Sequence, residues 1–383
     1  MMVAAVRDGG AQRAVARRFG ASLRSVQHWV ARAADQRLDR VDWSDHRTRP
    51  HHAPHRTSPR VEERVLTLRR ALAQDILGEC GAARIRDALL AEGSPAPAVR
   101  TIGRILLRHG AVDHRQRQRR PPPPPGWHLP PVRERAAELE LFDFVELLKL
   151  ADGPLVDILT GVALHSGAPM AWPLPQGTTT AVLDCLTAHW RSQGRPGYAQ
   201  FDNDTRFQGA HQHRDAFGRV VRLCLQLGIT PVFAPPREFG LQNPIEHFNG
   251  LWHRKVWQRY RFAALAALSG VTAQYIAARR QRLAARLATA PARRPWPADW
   301  TWHPEHLPVG TVIYIRRTSD QGALTFLGHT WRVDPHWCHR LVRAEVDLRH
   351  AEIRCFALRR TAPSEQPLLQ VLPYHYPRHD LVP

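Results

Sequence analysis

Two acidic residues at the ends of predicted secondary-structure elements are the side chains in this sequence best placed to do chemistry. Asp202 ends a predicted strand, YAQFD, and Glu246 lies in the first turn of a predicted helix that follows a loop containing Pro and Gly. Adjacent carboxylates repel one another, and a shared divalent metal ion is the usual reason for bringing them together. The pair therefore predicts a metal site.

The surrounding chain predicts the elements that position these acids. Three apolar runs with short connections, LELFDFVELL, PLVDILTGVALHSG and APMAWPLP, predict three consecutive antiparallel strands. A helix, a fourth strand ending at Asp202, a second helix, a fifth strand and the helix of Glu246 follow them. This βββαβαβα order is that of the ribonuclease H-like fold, a mixed sheet flanked by helices.

A third acid, Asp143, lies in the centre of the first predicted strand. The ribonuclease H-like order makes the first and fourth strands neighbours, so Asp143 and Asp202 can meet, and the helix of Glu246 packs beside them. Three converging carboxylates supply the hard oxygen ligands that two Mg²⁺ or Mn²⁺ ions need. One ion would activate an attacking hydroxyl and the other would stabilise a leaving 3′-oxygen, which gives an in-line displacement at phosphorus.

The motifs around these acids resemble those of the DDE transposases of bacterial insertion sequences, which carry a retroviral-integrase-type core. The matching motifs are F-D-F-V-E around Asp143, F-D-N-D-T-R-F around Asp202 and N-P-I-E-H-F-N around Glu246. The resemblance covers essentially the whole chain and implies N-terminal helix-turn-helix units, a catalytic core and a C-terminal barrel of the Mu-transposase type. It also implies the reaction, in which water hydrolyses a phosphodiester at the element's end and the freed 3′-OH attacks target DNA.

The same resemblance assigns roles to individual residues. Asp143, Asp202 and Glu246 would be the catalytic residues and the metal ligands, and Asn203 would support the turn after the second aspartate. The partners would be double-stranded DNA, as terminal inverted repeats and target, and further copies of the chain assembled on two DNA ends.

Other acids lie near the motifs. The family usually has Gly at the position of Asp204, where an extra acid could perturb metal binding or be tolerated in the turn. Glu146 is three residues after Asp143 and is expected to be structural. Asp157 is interpreted as non-catalytic, and Glu238 is a weaker alternative for the third ligand. In addition, 246 − 202 = 44 positions separate the last two acids, more than in many relatives.

The charge of the chain favours a polyanionic partner. The formal net charge is +20, and Lys occurs only at positions 149 and 255, so the positive charge is nearly all Arg. Nucleic acid is the simplest such partner, although Arg bias can also reflect codon composition. The candidate DNA-contacting side chains lie on outward faces of predicted helices: Arg24, Gln27, Arg100, Arg104, His253, Arg254 and Lys255.

Composition shifts and Pro-rich stretches predict the domain organisation. We expect a helix-turn-helix at 1–35, a linker at 36–60, a second helical DNA-binding unit at 61–114 and a basic polyproline linker at 115–135. The ribonuclease H-like integrase core would occupy 136–262 and a helical connector 263–297. A small SH3-like β-barrel at 305–361 and an irregular tail at 362–383 would follow.

Several other classes of protein are disfavoured. The five scattered cysteines argue against a disulfide framework and for a reducing compartment, and there is no apolar run long enough for a membrane helix. No signal peptide is expected, so the predicted location is the cytoplasm, in association with the nucleoid. The sequence contains no P-loop motif, so no nucleotide cofactor is expected. The competing hypothesis is a decayed or repurposed transposase that acts as a sequence-specific DNA-binding protein without chemistry.

Overall fold

The chain divides into two compact units, residues 1–58 and 59–383. The structure, a computed structural model, describes residues 1–44, 57–112, 123–151, 153–209, 214–215, 217–236, 238, 240–303, 306 and 308–376. About half of the predicted 36–60 linker (residues 45–56) and residues 115–122 of the polyproline linker therefore lie outside the described residues.

The first unit consists of short helices. They are α1 (Met2–Arg7), α2 (Gln12–Arg18) and α3 (Leu23–Ala33). Gly20 adopts a left-handed φ of +63° between α2 and α3, a conformation that glycine reaches without steric cost. The Ser22 side chain then caps α3 by accepting a hydrogen bond from the Ser25 N–H at 3.0 Å. Arg24 and Gln27 are exposed on α3.

A three-helix bundle opens the second unit. Its helices are α4 (Pro59–Gln74), α5 (Ala82–Ala91) and α6 (Val99–Arg108). Apolar residues at helical spacing on all three pack into one buried cluster: Val65, Leu68, Leu72, Ile85, Leu89, Ile102, Ile105 and Leu106. Arg100 and Arg104 lie on the exposed face of α6.

Residues 139–233 are built on a mixed sheet with the predicted strand order. Its first five strands are β1 (Leu139–Lys149), β2 (Leu155–Ala163), β3 (Pro169–Leu174), β4 (Tyr198–Phe201) and β5 (Thr230–Phe233). They lie in the order β3-β2-β1-β4-β5, with β1–β2 and β2–β3 antiparallel and β1–β4 and β4–β5 parallel. The prediction that the first and fourth strands are neighbours is confirmed, since Leu141 of β1 pairs with Gln200 of β4.

Helices cover both faces of this sheet. They are α7 (Pro130–Arg133), α8 (Thr179–Gln193), α9 (Thr205–Gln208), α10 (Arg219–Gln226), α11 (Asn243–Trp252), α12 (Leu265–Arg282) and α13 (Ala284–Ala288). A π-helical turn, His253–Trp257, continues directly from α11. Side chains of alternating strand positions enter two separate cores, one beneath α8 and α10 and the other beneath α11 and α12.

The C-terminal strands do not form the predicted closed barrel. The segment forms β6 (Thr311–Arg317), β7 (Ala323–Phe326), β8 (His329–Arg332), β9 (Leu341–Asp347), β10 (Glu352–Leu358) and β11 (Leu368–Pro373). Four of these strands extend the central sheet in the order β5-β6-β9-β10-β11, and β7 and β8 form a separate hairpin. The reason is that β6 pairs in parallel with β5, placing Ile313 opposite Val232, so the C-terminal strands continue an open sheet among the described residues. Strand β11 also lies in the segment expected to be an irregular tail.

Part of the predicted polyproline linker packs against the central sheet. Trp127, Leu129 and Val132 are 3%, 1% and 0% exposed and pack in the core beneath α11. The linker therefore ends before Trp127, because the apolar residues that follow the prolines are buried against the sheet. No helix of the described residues has both the length and the apolar character needed to cross a membrane.

A buried ionic cluster lies on the opposite face of the sheet from α11. Glu140 of β1 is fully buried and accepts hydrogen bonds from the Trp190 indole N–H at 2.8 Å and from His189 Nε2 at 2.9 Å. The Arg293 guanidinium lies 2.6 Å from the same carboxylate. Burial opposes ionisation, but His189 and Arg293 lower the pKa of Glu140 to about 2.

Candidate active site

Strand alternation places Asp143 and Asp202 toward α11. Their neighbours Phe142 and Phe201 stack on each other in the opposite core, with ring centroids 5.6 Å apart. Successive side chains of a strand point to opposite faces, so Asp143 is directed to the α11 face, as is Asp202 immediately after β4. Since β1 and β4 are adjacent and parallel, the two aspartates come from neighbouring strands.

Helix α11 brings Glu246 and Asn249 to this face. Ile245, Phe248 and Trp252 are buried at helical spacing and fix the rotation of the helix against the sheet. The Asn249 amide donates a hydrogen bond to Asp143 Oδ2 at 2.8 Å. Glu246, one turn earlier, is exposed, and its carboxylate has no hydrogen bond or ion pair with another described residue.

The charges of Asp202 and Glu246 act on Asp143. The pKa of Asp143 is raised to about 6, first by burial, then by the charge of Asp202 and by that of Glu246. Hydrogen bonds from the Phe144 N–H and the Asn249 amide oppose this rise. The pKa of Asp202 is also raised, mainly by burial. Partly buried, like-charged carboxylates of this kind favour protonation or a bound cation.

The carboxylates of Asp143, Asp202 and Glu246 are the kind of ligand that a hard cation prefers, but they do not form a tight cluster in this structure. Within the described ranges, no three His, Cys, Asp or Glu side chains form a group that could hold a metal ion as they stand. All three acids offer carboxylate oxygens, the ligands that Mg²⁺ and Mn²⁺ prefer. Asp143 is anchored by a hydrogen bond from Asn249, whereas the Glu246 side chain is exposed.

Asp204 is neutralised by a residue that the sequence analysis did not single out. Asp204 caps α9 by accepting the Arg206 N–H at 2.8 Å, and the Arg206 guanidinium binds the same carboxylate. Arg206 also contacts Glu146 at 2.7 Å and lies over the Phe144 ring, 3.9 Å from its centroid. The charges of Asp204 and Glu146 raise the pKa of Asp202, and that of Arg206 lowers it. The spacing of Asp204 and Arg206 at a helix start was the available signal for this cluster.

The remaining acids near the motifs have structural contacts. Asp157 accepts the Leu147 N–H at 3.1 Å and the Gly177 N–H at 2.8 Å, so it supports an irregular turn of β1 in which Leu147 has a φ of +57°. Glu238 binds Arg317 at 2.6 Å and Arg360 at 2.8 Å. The carboxylates of Asp157 and Glu238 therefore both have partners within the protein.

Asn203 links three strands next to Asp202. Its amide donates to the Ala234 carbonyl at 2.7 Å, and its carbonyl oxygen accepts from Arg316 at 2.6 Å. Burial lowers the pKa of the Arg316 guanidinium to about 10. Asn203 therefore joins the end of β4 to β5 and β6, a wider role than the local turn expected from the sequence.

The predicted DNA-contacting residues of the π-helical turn do not behave alike. Arg254 is exposed and His253 is partly exposed. Lys255, in contrast, donates a hydrogen bond to the Gly78 carbonyl at 2.9 Å in a partly buried contact. The ammonium group of Lys255 is therefore used within the protein in this structure, and its contact with a DNA phosphate stays a prediction.

Comparisons with known proteins give resemblances among solved structures. No family model matches the sequence, and no curated protein matches it. A chain of the simian T-cell lymphotropic virus intasome is similar over 68% of this chain and 84% of that chain, with 15% identity and a TM-score of 0.33. The BIV integrase catalytic core is 17% identical over 37% of this chain and 81% of its own, with a TM-score of 0.28. The HTLV-2 integrase catalytic core in complex with magnesium is 14% identical, covering 36% and 82%, with a TM-score of 0.27.

Proposed function

We propose that this protein is a transposase or integrase, a polynucleotidyl transferase of the DDE type. It would hydrolyse a phosphodiester at the ends of an element's DNA and transfer the freed 3′-OH into target DNA. The observation that carries the proposal is the electrostatic coupling of Asp143 with Asp202 and Glu246, delivered by two adjacent parallel strands and the helix packed on them.

Each residue of the site has a distinct role in this proposal. Asp143, Asp202 and Glu246 would hold Mg²⁺ or Mn²⁺, as two ions. When bound, the ions would supply activation of the attacking hydroxyl and stabilisation of the leaving oxygen. Asn249 orients the Asp143 carboxylate through the 2.8 Å hydrogen bond. Arg206 offsets the two additional negative charges beside Asp202.

The basic side chains would hold the DNA. Exposed Arg24 and Gln27 on α3, Arg100 and Arg104 on α6, and Arg254 after α11 are suited to phosphates and base edges. The partners would be terminal inverted repeats, target DNA and further copies of this chain, acting in the cytoplasm at the nucleoid. The net charge of +20 agrees with such a polyanionic ligand.

A second candidate is a sequence-specific DNA-binding protein that has the fold without the chemistry. The observation that favours it is the absence, in the parts of the chain that the structure describes, of a ready metal-binding group of three ligands. Both candidates require DNA binding, so only the reaction separates them.

Strand transfer with the full chain tests the proposal. Duplexes that end in the terminal inverted repeats proposed for the element are 5′-labelled and incubated with supercoiled target DNA and Mg²⁺. We expect cleaved 3′ ends and joined products with Mg²⁺ or Mn²⁺, and neither with EDTA. Specific binding without either product would support the second candidate instead.

Replacing Arg206 with Gln is expected to lower metal-dependent cleavage by roughly 10- to 100-fold, the range seen for outer groups around metal sites. The change leaves Asp204 and Glu146 unneutralised beside Asp202. The double variant Asp204→Gly/Arg206→Gln should recover part of the lost cleavage rate, because it also removes the negative charge of Asp204. Cleavage rates at several Mg²⁺ concentrations measure both. Equal rates for Arg206→Gln and wild type would contradict the proposed charge balance.

A further inference from the structure

The three-helix bundle of residues 59–112 is attached to the catalytic sheet by the segment that follows α4. Leu77 in this segment is 6% exposed and packs in the same core as the buried face of α11, with Ile76 packed against that core. A bundle residue is thus part of the catalytic core. Such burial is a property of a fixed attachment rather than of a tethered domain.

Two cations from the π-helical turn and the chain just after it bind the main-chain carbonyl of the last residue of α4, Gln74, and two carbonyls of the segment that follows it. Lys255 donates to the Gly78 carbonyl at 2.9 Å, and Arg259 donates to the carbonyls of Asp75 and Gln74, each at 2.6 Å. Carbonyls at a helix C-terminus lack partners within the helix and carry its partial negative charge, so cations there are favourable. These contacts leave both cations directed into the protein.

Ion pairs from α12 strengthen the same attachment. Arg279 binds Glu79, and Arg282 binds Asp87 of α5 at 2.7 Å. We use the term joint for Leu77, Gly78, Glu79, Lys255, Arg259 and Arg279. Its three cations come from the π-helical turn, the chain just after it and α12, so the bundle is held from several directions.

The joint connects the proposed catalytic helix to the proposed DNA-binding helix. Lys255 lies nine positions (255 − 246) after Glu246 on one continuous helical segment, roughly 14 Å along its axis. Within the bundle, Arg69 of α4 binds the Ala111 carbonyl after α6 at 2.6 Å. Arg100 and Arg104 of α6 remain exposed, and their guanidinium groups have no hydrogen bond or ion pair with another described residue.

We propose that the joint determines where the DNA is cut. It holds α6 at one distance from Asp143, Asp202 and Glu246, so the cleaved phosphodiester lies a constant number of nucleotides from the sequence that α6 binds. Lys255, Arg259 and Arg279 are positioning residues in this inference, which rests on the proposed function. A longer or looser connection would let the acids reach several phosphodiesters.

A pair of glycine variants tests the joint without changing any charge. Gly78 has a φ of +56°, and a Cβ there would lie 2.7 Å from Lys255 Nζ. Gly78→Ala should therefore displace Lys255 from the joint. Gly93, at the end of α5, has a φ of +65° with nothing within 4 Å of its Cβ position, so Gly93→Ala imposes the same backbone strain away from the joint. A second comparison uses two double variants. Lys255→Ala/Arg259→Ala removes two cations of the joint, and its control, Arg261→Ala/Arg332→Ala, removes two exposed cations that are not part of the joint.

Two readouts are made on a duplex that the full wild-type chain selects from a random-sequence pool. The first maps cut positions in Mg²⁺ at nucleotide resolution. The second places a photo-crosslinking amino acid at position 104 or at position 254 and maps both crosslinks on the same duplex, which requires binding but no cleavage. Wild type and both controls should give one cut position and one spacing between the crosslinks.

The joint variants should bind the duplex as their controls do but crosslink at several spacings. Cleavage at the principal position should fall by roughly 10²-fold, the cost of an ångström-scale misplacement, with cuts appearing at neighbouring phosphodiesters. A single unchanged spacing in Gly78→Ala and in Lys255→Ala/Arg259→Ala would overturn the inference. Binding with one crosslink spacing but no cleavage in wild type would overturn only the proposed reaction, and failure to bind any duplex would overturn both.

Discussion

Asp202→Asn is expected to reduce Mg²⁺-dependent cleavage and strand transfer by more than about 10³-fold, the upper end of what loss of one preorganised electrostatic group costs. Asn keeps the shape of the side chain and can still accept the Asp204 N–H that Asp202 Oδ1 accepts at 3.1 Å. It removes the negative charge that a divalent cation requires. The loss should therefore appear in the reaction and not in the fold.

The matched control for this variant is Asp184→Asn on α8. Asp184 is exposed on the opposite face of the sheet and should leave the reaction unchanged. Binding of the inverted-repeat duplex, measured by electrophoretic mobility shift, should be equal for wild type and both variants in the absence of metal. If Asp202→Asn cleaves as fast as wild type, Asp202 is not a metal ligand and the proposed site is wrong.

The same substitution has a second readout that does not depend on turnover. Mn²⁺ binding, followed by the loss of the free-ion electron paramagnetic resonance signal, should weaken in Asp202→Asn and remain intact in Asp184→Asn. Loss of the charge of Asp202 should also lower the pKa of Asp143, because that charge is the second-largest cause of its rise to about 6. A pH titration of Mn²⁺ binding in an Asp202→Asn background reports this change.

The core of the fold was predictable from the sequence because its signals are local. Apolar runs of strand length, short connections and amphipathic helices specify β1 to β5 and the helices between them. The two aspartates followed from the strand order, since adjacent parallel strands bring Asp143 and Asp202 to one edge. Buried residues at helical spacing around Glu246 likewise indicated the helix that carries it.

The features that the sequence did not reveal depend on contacts between distant segments. The pairing of β6 with β5 joins residues about 80 positions apart and is one of several arrangements that the same strand pattern permits. The position of Lys255 depends on a π-helical turn, which shifts the side chains that follow it relative to an α-helix, and on the carbonyl of Gly78. Neither leaves a periodic signal in the chain.

The role of Arg206 shows the same limit at the site itself. The resemblance stated in the sequence analysis, in which Gly is usual at this position, singled out Asp204, but the Glu146 partner of Arg206 comes from a strand sixty positions earlier. Whether an extra acid is tolerated depends on the summed charge around it. Only the three-dimensional arrangement shows that a guanidinium lies between Asp204 and Glu146.

Glu140→Gln is expected to lower the free energy of unfolding of the second unit, residues 59–383, by roughly 3–5 kcal/mol, as breaking one side of a buried ion pair does elsewhere. Glu140 is 0% exposed and is the common partner of His189, Trp190 and Arg293. Gln cannot balance the Arg293 charge and leaves it uncompensated. Urea denaturation at pH 7, followed by Trp fluorescence, measures the change.

The control for Glu140→Gln is Glu134→Gln. The Glu134 side chain is 60% exposed and pairs with Arg133 at 2.7 Å, so its loss should change the free energy of unfolding by roughly 0–1 kcal/mol. Both substitutions remove one carboxylate charge. If the two substitutions lower the free energy of unfolding by similar amounts, the buried ion pair of Glu140 does not stabilise the fold more than an exposed pair does.

The pH dependence gives Glu140 a further signature. Its pKa is about 2 in the folded protein and 4.5 as the ordinary value, so the folded state favours the ionised form. This contribution to stability is fully present above pH 4.5 and is lost as the pH falls from 4.5 toward 2. Wild type should therefore lose stability more steeply than Glu140→Gln across that range, and the two unfolding curves should converge. Parallel pH profiles would mean that Glu140 is not ionised in the core.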